Sequence, residues 1–247
     1  MLPWIWLGAC ILLAYTVEAV TGFGSIVIAL SLGALLLPIA DLLPTLVPLN
    51  IALSGYLSMR HRAHIHWPTL LRLILPLMIA GTVIGHFLRP VLGSGVMQLL
   101  FGLLIIWFAC RELWRMRAAG GGAVSRSTAK TGLLMLGAGA THGLFASGGP
   151  LLVYALAGTQ LGKAGLRATL IAVWFSLNSL LTLFFLIDGS LVPALPRVLV
   201  YLPLVGVGIV AGECLHRRIH EQQFRRLVYA LLAVTGALLI LGQGYGS

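Results

Sequence analysis

The stretch HGLFASGGPLLV, His142 to Val153, is apolar on both flanks yet carries Ser147-Gly148-Gly149-Pro150 at its centre. Two glycines and a proline together cost a helix about 4–5 kcal/mol relative to alanine, so a greasy segment that keeps them must use the break. Gly149 as N-cap and Pro150 as first helical residue make a favoured helix start. The free N–H groups and positive dipole end of such a helix attract an anion, and glycine leaves the backbone open to it. A comparable break, Gly22-Phe23-Gly24-Ser25, lies in the first apolar stretch.

Polar side chains stand close to both breaks. Asn50 in LVPLNIALSGYL and Asn178 in WFSLNSLLTLFF fall midway along apolar segments and offer amide donors and acceptors at matching depth. Glu18 precedes the first break and His142 the second. An ionisable residue inside a bilayer is a functional candidate by default, so both are candidate proton-coupling groups. Each of these residues also has a purely structural reading. The asparagines can bond helix to helix for about 1 kcal/mol, Glu18 can be a hydrogen-bonded structural carboxyl, and His142 a neutral packed imidazole. Two histidine runs, RHRAHIH (60–66) and ECLHRRIHE (213–221), have helical metal-ligand spacing, but their neighbouring arginines repel a cation. No H-E-x-x-H or P-loop is present. The three cysteines, Cys10, Cys110 and Cys214, are too far apart for a disulfide framework.

The elements that must hold these residues are membrane helices. Hydrophobic residues make up 59% of the 247 and charged residues 9%, far from the composition of a soluble domain. Apolar runs bounded by Pro, Gly and charge predict segments near 3–20, 24–39, 42–60, 69–88 and 96–114. A second set follows near 131–146, 149–160, 167–187, 197–215 and 225–242. The first stretch lacks a basic n-region and a small-residue cleavage site and reads as a retained membrane segment. Of the 16 Lys and Arg, Arg89 and Arg197 fall on one side of the membrane and the other fourteen on the opposite side. That split places both termini outside. It also accounts for the net charge of +10 without nucleic acid as a partner.

The chain repeats. LPLMIAGTVIGHFL from Leu75 and LPLVGVGIVAGECL from Leu202 share L-P-L-x3-G-x3-G at a constant offset of 127. The expected fold class is therefore an all-α polytopic membrane protein of two inverted repeats, each of about five helical segments and each opening with a short Gly-broken hairpin. Residues 1–114 form the first repeat, 115–130 a basic cytoplasmic linker and 131–247 the second. Inverted repeats with short, Gly/Pro-interrupted segments point to a secondary transporter with its site at the breaks. A packing role alone for the glycines is the weaker alternative, because the break recurs in both halves.

GLFASGGPLLVYAL, 143–156, is similar to the second Gly-rich motif of the sulfite exporter TauE/SafE family of bacterial and archaeal membrane permeases. The resemblance extends over nearly the whole chain: two related halves, a Gly-rich motif opening each, and a basic central loop. The first copy, GFGSIVIALSLGALLLP, departs from the tighter glycine cluster common in the family. The resemblance implies export of sulfite, sulfoacetate or other organosulfonate-like anions across the cytoplasmic membrane. The expected substrate-binding residues are Gly22, Gly24, Ser25, Asn50, Ser147, Gly148, Gly149, Pro150 and Asn178. The expected partners are a small anionic substrate and the lipid bilayer, with a homo-oligomer compatible with the sequence. No cofactor or metal is expected. A proton-coupled importer using Glu18 is the alternative. A membrane-embedded enzyme is the third reading, for which no convergent nucleophile–base set falls at one depth.

Overall fold

The structure, a computed structural model, describes residues 2–21, 24–117, 128–156, 161–216 and 221–241. These are helical with no strand among them, and the helices follow the apolar runs closely. In the first half they are α1 (Leu2–Thr21), α2 (Ser25–Gly33) and α3 (Ile39–Arg60). Next come the short α4 (Trp67–Thr69), α5 (Leu75–Leu88) and α6 (Ser94–Arg117). The second half supplies α7 (Thr128–Phe145), α8 (Gly149–Leu156), α9 (Lys163–Ile187), α10 (Leu195–His216) and α11 (Glu221–Leu241). Among the described residues six helical stretches are long and apolar enough to cross a membrane. The chain is a polytopic all-α membrane protein.

The interruptions follow from individual residues. Between α4 and α5 the backbone widens into a π-helical turn, Leu70–Ile74, with the Leu75 N–H reaching back to the Leu70 carbonyl. Pro76 lies in the next turn, without an N–H and with a ring that crowds the carbonyl four residues back, and the wider turn accommodates it. Leu32, near the end of α2, gives its carbonyl to the Trp6 indole N–H at 3.0 Å. The nine residues of α2 rise about 14 Å, roughly half a hydrocarbon core.

The helices form two compact units, and each unit draws on both halves of the sequence. One comprises Met1–Leu43, Leu92–Gly122 and Val200–Ser247; the other comprises Pro44–Val91 and Ala123–Leu199. In the first unit α10 lies on α1: a Cβ on Gly208 would come within 3.1 Å of Tyr15 Cβ, and one on Gly212 would lie 2.7 Å from the Thr16 carbonyl oxygen. Gly102 of α6 and Gly236 of α11 face each other in the same way.

In the second unit α5 lies on α7, backbone against backbone. A side chain on Gly81 or Gly85 would run into the carbonyls of Leu136 and Ala140, and one on Gly139 or Gly143 into those of Met78 and Thr82. Close approach through small residues is how apolar helices gain contact in lipid, where burial itself drives little. The core of this unit joins Ile74 and Met78 to Met135 and Ala138, Leu152 and Ala155, and Val173 and Leu177. Large apolar side chains such as Leu133, Leu199 and Val91 stay exposed at 67–77%, as lipid-facing positions do.

Candidate anion site

Both Gly-rich breaks are helix starts, and their surroundings differ. In the first unit Gly24 caps α2 with φ 105°, a left-handed conformation that glycine adopts freely. The Ile28 N–H bonds to the Gly24 carbonyl at 3.0 Å. The Ser25 N–H donates to Glu18 Oε2 at 2.9 Å, and the Ser25 side chain is hydrogen-bonded to Tyr15. All three side chains are buried. A carboxylate of the protein itself thus stands where an anion at this helix start would stand. Gly22 lies outside the described residues.

In the second unit the chain leaves α7 through Ala146, whose φ of 51° is the only positive value at a non-glycine residue among those described. An alanine held there costs of order 1–3 kcal/mol. The turn is pinned by the Ala146 N–H on the His142 carbonyl at 2.6 Å and by the Ser147 hydroxyl donating to the Phe145 carbonyl at 2.9 Å. The Ser147 proton is therefore spent on the turn.

Helix α8 begins one residue earlier than the glycines and proline suggest: Gly148 is the cap, its carbonyl accepting the Leu152 N–H at 3.1 Å, and Gly149 and Pro150 open the helix. First-turn N–H groups have no partner within their helix, and Pro150 contributes none. The donors at this tip are the N–H groups of Gly149 and Leu151. Gly148 owes its missing side chain to α7, because a Cβ would strike the Ala138 carbonyl. A Cβ on Gly149 would meet the Trp174 ring at 3.3 and 3.5 Å.

Around this start stand buried polar groups without partners. His142 is fully buried, and neither ring nitrogen makes a hydrogen bond. Its ring stacks on Trp174, centroids 5.9 Å apart and planes at 19°. The Trp174 indole N–H is buried and also unpaired. Asn178, one turn further along α9, donates its amide to Asn50 Oδ1 at 2.7 Å. Its own Oδ1 faces His142 without closing a hydrogen bond.

Buried polar groups are nearly always satisfied, so this concentration of unpartnered atoms makes the start of α8 the candidate site. The donors are the α8 N–H groups, the Trp174 N–H and one imidazole N–H, and the acceptor is Asn178 Oδ1. That set suits an oxyanion, including one that carries a proton.

The structure therefore brings Asn50, Asn178, His142, Gly149 and Pro150 together in one unit, with Ser147 and Gly148 shaping the turn, while Glu18, Gly24 and Ser25 form a separate start in the other, where Glu18 accepts the Ser25 N–H. Trp174 is the residue that sequence reasoning missed. Tryptophan in membrane chains usually anchors at the interface, and the available signal was its i, i+4 spacing from Asn178. Among the described residues no three His, Cys, Asp or Glu come together as metal ligands would.

No curated protein and no solved structure matches the chain. A family model, sulfite exporter TauE/SafE, matches residues 7–239, which include both helix starts and both asparagines. With six membrane-length helices and that match over nearly its whole length, the chain belongs to the sulfite exporter TauE/SafE family of membrane transporters.

Proposed function

We propose that the protein exports a small oxyanion, sulfite, sulfoacetate or a related organosulfonate, across the cytoplasmic membrane, opening its site to one side at a time. The anion is held at the start of α8 by backbone N–H groups, with Trp174 and His142 donating and Asn178 and Asn50 closing the far side. The observation that carries this reading is the cluster of buried, unpartnered polar groups at the start of α8. No Arg or Lys shares that depth, so dipoles and neutral donors do the holding, which favours moderate affinity and ready release.

The capping of α2 by Glu18 supports one site per chain at the helix starts, with the carboxylate serving in the first unit as a resident anion. Export needs no coupled cation, because a monovalent anion leaving a negative-inside cell gains about 2.3 kcal/mol per 100 mV. The two halves act as inverted repeats with both termini outside. In support, α5 and α10 pack the G-x3-G glycines of each half on α7 and α1, the first helix of the other half.

A thermal-shift series on purified protein tests the reading. Sulfite and sulfoacetate should raise the melting temperature of the parent by clearly more than that of Trp174→Phe. Equal shifts in both would move the site elsewhere.

A further inference from the structure

A second polar cluster lies in the unit that carries α8 and takes no part in the site above. His86, in the last turn of α5, and Arg89, just past its end, face Asp188 at the C-terminal cap of α9. Arg89 Nη2 stands 3.7 Å and His86 Nε2 3.8 Å from Asp188 Oδ2. Charge-assisted hydrogen bonds close to about 2.7–2.9 Å, so neither contact is one. The other carboxylate oxygen is taken by Ser190, whose backbone N–H donates at 2.9 Å and whose hydroxyl donates at 2.5 Å.

Meanwhile Arg89 Nη1 and His86 Nδ1 are buried with no partner. His86 is 8% exposed and stacked on Phe184 with centroids 4.7 Å apart, and the Arg89 guanidinium lies 4.8 Å over the Phe185 ring. The Asp188 side chain, at 37% exposure, is where the cluster opens.

A guanidinium keeps its charge at all accessible pH, and a buried donor without an acceptor is costly. A rigid, always-charged fork beside a carboxylate held at arm's length leaves room for further acceptor oxygens. Trp174, Asn178, Leu181 and Phe185 recur at helical spacing along one face of α9. The Arg89–Phe185 contact thus lies about 10 Å along that face from Asn178.

We propose that Arg89 and His86 form a second station for the same class of small sulfur oxyanion, with Asp188 as the carboxylate that occupies it when the substrate is absent. The proposal rests on the reading of α8 as the transport site and places the station where an anion leaves that site. The competing role is an ion pair that fastens α5 to α9.

Equilibrium dialysis of radiolabelled sulfite against the full-length protein in nanodiscs, without oxygen, counts the sites. The parent should bind two per chain. Arg89→Gln should bind one, and the double variant Trp174→Phe/Asn178→Ala should bind one. If the parent binds a single sulfite that survives Arg89→Gln and is lost in the double variant, the station is overturned and the α8 reading stands. If a single sulfite is lost only with Arg89→Gln, the station stands and the α8 reading fails. No binding by the parent overturns both.

Asp188→Asn removes the competing charge and should tighten the Arg89-dependent site about tenfold. Unchanged affinity with a lowered melting temperature would assign the cluster to fastening and overturn the station. Should Arg89→Gln not fold, Arg89→Lys keeps the charge without the fork and should weaken the same site by about tenfold; parental affinity there counts against the proposal.

Discussion

Trp174 offers one donor and no acceptor, so whatever partners its buried N–H must bring an acceptor. Trp174→Phe keeps an aromatic ring near His142 but removes the N–H together with part of the indole ring. A hydrogen bond to a charged ligand contributes about 1.5–3 kcal/mol, so oxyanion affinity should fall roughly 10–150-fold, more than the loss of about 1–2 kcal/mol of stability from the smaller ring would account for. Titration of the variant with sulfite checks this. Asn178→Ala differs, because it also breaks the 2.7 Å bond to Asn50; affinity and stability should fall together, the latter by about 1 kcal/mol.

Glu18→Gln leaves an acceptor for the Ser25 N–H and should fold and export at close to the parental rate with an unaltered pH profile. Loss of transport in a well-folded Glu18→Gln would instead make Glu18 the proton carrier. At the membrane edge, burial first and then the charges of Arg167, Arg60 and His64 hold the His61 imidazole below its ordinary value. The fold thus resists a proton that the unfolded chain accepts, and acidification from about pH 6.5 downward lowers stability. A melting series of His61→Gln should show a shallower fall across that range. The burial of Glu18, Asn50, His142 and Asn178 was legible because polar residues inside apolar runs stand out. Which carboxylate or imidazole would find a partner was not, since that depends on where the turns aim their N–H groups.

Among the elements, α8 carries the argument. Its two glycines have separate duties, and their substitutions should separate accordingly. Gly148→Ala drives a methyl into the α7 backbone at Ala138 and should destabilise by about 1–3 kcal/mol, as overpacking does. Gly149→Ala meets only the edge of the Trp174 ring at 3.3 Å. It should displace that donor, costing binding more than stability. Melting curves and sulfite titrations of the two variants check the division.

Helix limits were readable from Pro, Gly and charge, which is why the expected segments and the observed helices largely coincide, except that α2 stops at Gly33 instead of running to 39. The π-helical turn before Pro76 and the left-handed Ala146 were not anticipated: Pro76 signals a disturbed ladder but not the form it takes, and alanine carries no local signal for a left-handed conformation.

At the scale of the whole molecule, composition alone gave the class, while the repeated L-P-L-x3-G-x3-G was read as a mark of inverted repeats and its glycines turn out to make helix contacts between the two halves. The grouping of helices into units that mix both halves was not legible, because repeat similarity says which segments are alike and not which ones touch. The positive-inside count predicts that a cysteine introduced at Tyr245 is labelled from outside intact cells and one at Ser125 is not.

The central claim is that the start of α8 holds an oxyanion that the membrane potential then drives outward. Sulfite efflux from proteoliposomes, with an inside-negative potential imposed by a potassium gradient and at matched protein density, tests it most directly. The account predicts efflux by the parent that rises with the potential and falls at least tenfold in Trp174→Phe at subsaturating sulfite. Efflux that ignores the potential and is equal in parent and variant would contradict it.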